Sequence, residues 1–130
     1  MIVFDASVLI AYLDGEDAHH HDAVELLVSE AATEFVAATL TLGETLVGPA
    51  RSGVLDAAIG ALHEIGVTES YPVEGDAERL ARVRSETKLK MPDCVVLVAA
   101  ENAKARVGTF DRRLANEARQ RGLEVVPGLR

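Results

Sequence analysis

Residues 2–13 read IVFDASVLIAYL, and this stretch decides the fold class. Ile2-Val3-Phe4 is a short apolar run stopped by Asp5, the pattern of a strand buried on both faces. Apolar residues then recur at Val8, Leu9, Tyr12 and Leu13, the spacing of one helix face. A buried strand passing directly into a helix begins a strand–helix–strand unit, and the pattern repeats along the chain. Val24, Leu27 and Val28 predict one face of a second helix, and Phe35–Ala38 a second strand. A helix follows from Thr41 to about Val47, ended by Gly48-Pro49, and another from Val54 to Ile65 on a stripe of Leu55, Ile59 and Leu62. Gly66 closes it before a weak strand, Val67 to Val73.

Asp76 is placed to cap a helix with Leu80 and Val83 inward and Arg79, Arg82 and Arg84 outward. Pro92 opens an apolar helix reaching about Ala103, followed by a strand from Arg106 to Phe110. A helix from Arg112 to Arg121, ended by Gly122, leads to a last strand, Leu123 to Val126. Short apolar strands alternating with helices predict an α/β fold, a central parallel sheet flanked by helices on both faces. The 130 residues suit one domain over 1–130, with no repeat or linker in it.

Composition narrows the class. With 48% hydrophobic and 26% charged residues the chain can bury a core and is not a disordered one. The single Cys94 excludes an intramolecular disulfide framework and fits a reducing compartment, the cytoplasm. The longest apolar run, Cys94 to Ala100, is too short to span a bilayer, so no membrane role is expected. The opening residues lack the basic flank of a signal peptide. Charge is unevenly distributed within a net of −8: residues 1–50 hold nine acids and no Lys or Arg. Residues 79–121 hold eleven basic residues against five acids. That run is either a set of solvated helix faces or a basic surface for a polyanion beside an acidic one.

Four acids fall at element junctions, and each has an ordinary explanation. Asp5 can cap the helix after the first strand. Glu44 completes Thr41-x-x-Glu44, a capping box. Asp93 lies in the first turn of a helix, where the macrodipole favours an acid. Asp111 can be the N-cap of the Arg112 helix. Taken together they carry a second meaning, because a parallel sheet brings strand ends and following helix starts to one edge, where ligands bind. Carboxylates gathered there repel one another unless a cation sits among them. Oxygen ligands without a neighbouring thiolate or imidazole point to Mg²⁺ or Mn²⁺ rather than zinc.

The segments VFDASVLI, TLGETLVGPARSG, KMPDCVVLVAA and GTFDRRLA, in this order and spacing, resemble PIN-domain ribonucleases, most nearly the VapC-type toxins of toxin–antitoxin pairs. The likeness covers essentially the whole chain. It implies a metal-dependent endoribonuclease that leaves 5′-phosphate and 3′-hydroxyl ends, with Asp5, Glu44, Asp93 and Asp111 as catalytic, metal-binding acids. Ser7 and Thr109 are then supporting hydroxyls that orient water or phosphate, unless they serve as local caps. Arg112 and Arg113, beside Asp111, are candidates for contact with the RNA backbone, although a solvated helix face explains them as well. The resemblance further implies a homodimer and a small VapB-type antitoxin, with the Gly48–Gly53 segment, read as a tight turn between helices, lining the antitoxin groove. The chain departs from the family at Cys94, where a small Ala is more usual; it is expected to be a buried hydrophobe.

Other classes fit less well. A phosphoacceptor receiver domain needs an acidic pair after the first strand and a Lys after a late one, yet only Asp5 is present and no Lys follows Lys104. Dinucleotide binding fails for want of G-x-G-x-x-G after the first strand. A catalytically silent PIN-like module that binds RNA or protein is the remaining alternative. His19, His20 and His21 cannot chelate one ion well, since successive helix residues point about 100° apart, and are read as a surface helix start.

Overall fold

The computed structural model describes residues 1–128. Five strands, β1 (Ile2–Phe4), β2 (Phe35–Ala38), β3 (Val67–Ser70), β4 (Arg106–Gly108) and β5 (Val125–Val126), form one sheet in the order β3-β2-β1-β4-β5. Every pairing is parallel, with Ile2 beside Phe35 on one side and Phe4 beside Gly108 on the other. The chain builds outward from β1 to β3, then crosses back to add β4 and β5. The order therefore reverses between β1 and β4, which opens a crevice at the carboxyl ends of those two strands.

Two helices fill each of the first three crossovers: α1 (Ala6–Leu13) and α2 (His20–Ser29), α3 (Thr39–Arg51) and α4 (Leu55–Glu64), α5 (Asp76–Glu86) and α6 (Met91–Ala103). A single helix, α7 (Arg112–Gln120), joins β4 to β5. Alternating strand residues feed two cores. Val3, Val36, Val107 and Val125 pack with Val83 of α5, Leu97 of α6 and Leu114 of α7. Ile2, Phe4, Phe35 and Val67 pack with Leu9, Leu26 and Leu62 on the opposite face. The α/β architecture expected from the sequence is the one observed, and no helix among the described residues is long and apolar enough to cross a membrane.

Details differ for physical reasons. In α2 the buried residues are Ala23, Leu26 and Leu27, and Val28 is 70% exposed. Residues 23, 26, 27 and residues 24, 27, 28 share the same helical spacing, so periodicity alone does not choose between them. His20 decides it, its ring nitrogen lying 2.7 Å from the Ala11 carbonyl and fixing α2 against α1. Helix α3 starts at Thr39, with Thr41 buried inside the first turn, so no capping box forms. It also runs through Gly48-Pro49 to Arg51, because a proline in the last turn removes only one hydrogen bond. The turn between α3 and α4 is confined to Ser52–Val54, with Gly53 at φ 75°. Gly75, at φ 92°, occupies the cap position before α5, and Asp76 is its first residue. The Asp76 carboxylate is buried, accepting from the Val73 amide and the Asn102 side chain at 3.0 Å each. Strands β3, β4 and β5 are all shorter than the apolar patterns suggest.

Candidate active site

The four acids line one cleft at the crevice between β1 and β4. A cleft of about 280 Å³ is lined by Asp5, Ala6, Ser7, Glu44, Lys90, Pro92, Asp93, Val96 and Asp111. Each acid arrives from a different element. Asp5 ends β1, Glu44 stands in the second turn of α3, Asp93 is the third residue of α6, and Asp111 precedes α7.

Asp5 is buried and tightly held. Ser7 donates its hydroxyl to Oδ1 at 2.6 Å, the Val8 amide donates to the same oxygen at 3.3 Å, and the Thr109 hydroxyl donates to Oδ2. The two hydroxyls are themselves fixed. Ser7 Oγ accepts from the Phe110 amide at 3.0 Å and Thr109 Oγ1 from the Asp111 amide at 2.9 Å. The Asp5 amide donates to the Gly108 carbonyl at 3.0 Å, which stitches the end of β1 to β4. A hydroxyl has one proton to give, so Ser7 and Thr109 use theirs on Asp5. Burial pushes the Asp5 carboxyl up to about 6, against the three hydrogen bonds that favour its charged form; Asp111 adds a smaller push upward.

Asp93 is half-buried, and its carboxyl is also raised, first by burial and then by the charge of Asp111; the Lys90 amide and ammonium oppose this. Asp111 caps α7 through Oδ1, which accepts from the Arg113 amide at 2.8 Å and the Leu114 amide at 3.3 Å. Capping and cleft-lining are thus not alternatives for Asp5 and Asp111: each does both. Glu44 is exposed and lines two hollows at once. The second is a groove of about 410 Å³ that includes Ile10, Leu13, Thr45, Pro49 and Val54.

Among the described residues, no three Asp, Glu, His or Cys side chains stand close enough together to hold an ion as they lie. The chemistry of the lining nonetheless suits a hard divalent cation. Four carboxylates face one ammonium, Lys90, and neither His nor Cys lines the cleft. Cys94, next to Asp93, is turned into the core and fully buried, with its thiol pushed up by burial first and then by Asp93.

The basic run divides into paired and unpaired side chains. Arg79 pairs with Asp76 and Glu101, Arg82 with Glu78, Arg121 with Glu86 and Glu101, and Arg106 with Glu30 in a bidentate bridge at 2.7–2.8 Å. Those four serve the fold. Arg112 lines a separate cavity beside Asp111, and Arg113 is exposed without lining the acid cleft. The histidine run also splits: His20 ties α2 to α1, His21 faces solvent near Glu25, and His19 stacks on Phe110 with ring centroids 4.8 Å apart. Nothing in the spacing of His19 and Phe110 signals that pair, because only the folded chain brings the start of α2 against the β4–α7 junction.

Comparison with known proteins agrees with the fold. A search of curated proteins by sequence finds no significant match. Among solved structures, the chain is similar to VapC20 of Mycobacterium tuberculosis, a toxin that cleaves the sarcin–ricin loop, at TM-score 0.75 and 18% identity over 90% of this chain and 95% of that one. It is similar to a chain of a toxin–antitoxin complex from Klebsiella pneumoniae at TM-score 0.70 and 23% identity, covering 88% and 90%. A chain of VapBC2 from Rickettsia felis, solved on a DNA fragment from its promoter, matches at TM-score 0.68 and 13% identity, covering 96% and 97%. The sequence pattern of the PIN domain matches residues 2–120, and the chain belongs to the PIN domain family.

Proposed function

We propose that this PIN domain is a toxin-type endoribonuclease that hydrolyses RNA phosphodiesters at the four-acid cleft and is neutralised by a small antitoxin. One observation carries the reading: Asp5, Glu44, Asp93 and Asp111, from four separate elements, line one cleft at the point where strand order reverses. Likeness to a toxin that cleaves the sarcin–ricin loop, and to chains of toxin–antitoxin complexes, supports it.

Asp5, Asp93 and Asp111, with Glu44 at the rim, would hold Mg²⁺, or Mn²⁺ in its place. When bound, such a cation acidifies a water and offsets the charge that builds on phosphate and leaving oxygens. The chain's own contribution is position. Ser7 and Thr109 lock the Asp5 carboxylate in place, and Lys90 sets an ammonium at the cleft for an incoming phosphate. The groove with Ile10, Leu13, Pro49 and Val54 suits an apolar antitoxin segment, and shared Glu44 leads from it to the acids. A homodimer accords with the family resemblance, and the apolar hollow of about 520 Å³ beside Leu40, Tyr71 and Val73 offers a surface for a second copy.

The test is incubation of structured ribosomal RNA with the protein in Mg²⁺, Mn²⁺ or chelator. Cleavage in either metal, absent in chelator and in Asp93→Asn, is the expected result; bound but uncut RNA would leave the silent binding module. Melting curves add a readout independent of activity. Asp93→Asn removes a charge disfavoured by burial and by Asp111, so in chelator it should melt higher than wild type. The rise expected is roughly 3–5 °C for about 1 kcal/mol. The same variant should show a smaller metal-induced rise, having lost one ligand.

A further inference from the structure

Asp111 lines not only the acid cleft but a second cavity of about 380 Å³ on its other side. We propose that this second cavity binds the nucleotide adjoining the scissile phosphate, with the His19–Phe110 pair stacking its base and Arg112 and Arg119 holding its phosphate. This rests on the reading of the cleft as an RNA-cutting site.

Three observations converge on it. First, Asp111 lines both spaces, so they adjoin, and a strand with a phosphate at the acids has this cavity as a neighbour. Second, His19 and Phe110 stack almost parallel, with 17° between their planes. His19 keeps 54% of its side-chain surface open, with Asp22 Oδ2 3.6 Å from its Nδ1, which leaves ring surface on which a base can stack. Third, Arg112 and Arg119 make no ion pair among the described residues and both line this cavity, whereas Arg84 and Arg113, also unpaired, line neither it nor the acid cleft. Two carboxylates also line the cavity, Asp22, 3.6 Å from His19 Nδ1, and Asp111, which caps α7, so its lining carries no net excess of positive charge. A bare anion therefore gains little there, while a nucleotide adds the stacking that favours it. Because stacking accepts any base, the cavity should select single-stranded RNA rather than a particular letter.

The probe is a fluorescein-labelled twelve-nucleotide single-stranded RNA of mixed sequence, titrated in the Asp93→Asn background so that binding is read without cleavage. His19→Ala should weaken binding roughly five- to hundredfold, the range for loss of one stacked base. Phe110→Leu keeps the apolar packing of that position and should weaken binding in the same direction. Arg112→Gln and Arg119→Gln should each reduce the slope of log affinity against log salt by about 0.7. Lys104→Gln removes the same charge at the opposite edge of the sheet and should change neither quantity. In the Asp93 wild-type enzyme with Mn²⁺, His19→Ala should raise KM far more than it lowers kcat. If His19, Arg112 and Arg119 variants bind and cut like Lys104→Gln, the second cavity is not a nucleotide site, and the cleft reading stands without it. If the unsubstituted protein neither binds nor cuts RNA, both readings fail together.

Discussion

The Asp5 carboxylate sits at the end of the central strand among two hydroxyls and one amide, where burial holds its pKa near 6 rather than 3.8. An acid whose pKa is raised by folding stabilises the folded chain when protonated and destabilises it when ionised. Relative to the ionised state, this stabilisation is fully present below about pH 4 and is lost as pH rises through 6. The span from 3.8 to about 6 corresponds to a cost on the order of 3 kcal/mol in the metal-free protein. In chelator, melting temperature should rise as pH is lowered from 7.5 to 5, and Asp5→Asn should flatten that rise. In saturating Mn²⁺ the trend should reverse, because protons compete with the cation for the carboxylates. A metal-free protein that melts progressively lower over the same interval would show that Asp5 is not the dominant titrating group. The sequence marks Asp5 by its place after an apolar run, but the clamp of Ser7 and Thr109 depends on residues 104 positions apart in the chain.

At the level of elements, β4 has little room beside β1. Gly108 is paired with Phe4, and a Cβ there would overlap the Phe4 ring and come within 3.0 Å of Ile2 Cγ2. Phe4 cannot swing aside freely, since it is fully buried and packs edge-on against Phe35 at 5.2 Å. Gly108→Ala should destabilise the fold by roughly 1–3 kcal/mol, the usual cost of overpacking. A chemical-denaturation midpoint reads it, and an unchanged midpoint would mean that the strand ends yield. The existence and type of nearly every element are legible in the apolar spacing, whereas their ends are not. Thr41-x-x-Glu44 imitates a capping box, yet the helix begins two residues earlier at Thr39. Gly48-Pro49 imitates a stop, yet the helix continues to Arg51, since a proline in the last turn forfeits only one hydrogen bond. Local chemistry permits both outcomes in each case, and packing of Leu42 and Leu46 against the second core selects one.

On the scale of the molecule, Asp5 and Asp111 are legible in the sequence because parallel topology sends strand ends to one edge. Glu44, in the second turn of α3, and Asp93, on the second helix of its crossover, instead reach the cleft through the packing of those helices. The basic run could not be sorted from the sequence. Arg106 meets Glu30 across 76 positions, and Arg79 meets Glu101 between two helices; only the assembled fold separates these bound arginines from Arg112 and Arg119. Assembly also governs stability. A chain ending at Lys104 loses β4, α7 and β5, and with them Val107, Leu114, Ala118 and Val125 from the first core. Such a fragment should lack the dispersed amide spectrum of a folded protein and should not cut RNA, although it keeps three of the four acids. The strand order has a bearing on timing as well. β1 is made first but lies at the centre of the sheet, with β2 on one side and β4 on the other. While the chain is still being synthesised, Asp5 waits on a strand with one flank bare until residues beyond 108 emerge to supply Thr109 and Asp111. The cleft comes into being only once residues beyond 108 have been made, so a shorter nascent chain on the ribosome lacks the four-acid cleft while it is surrounded by ribosomal RNA.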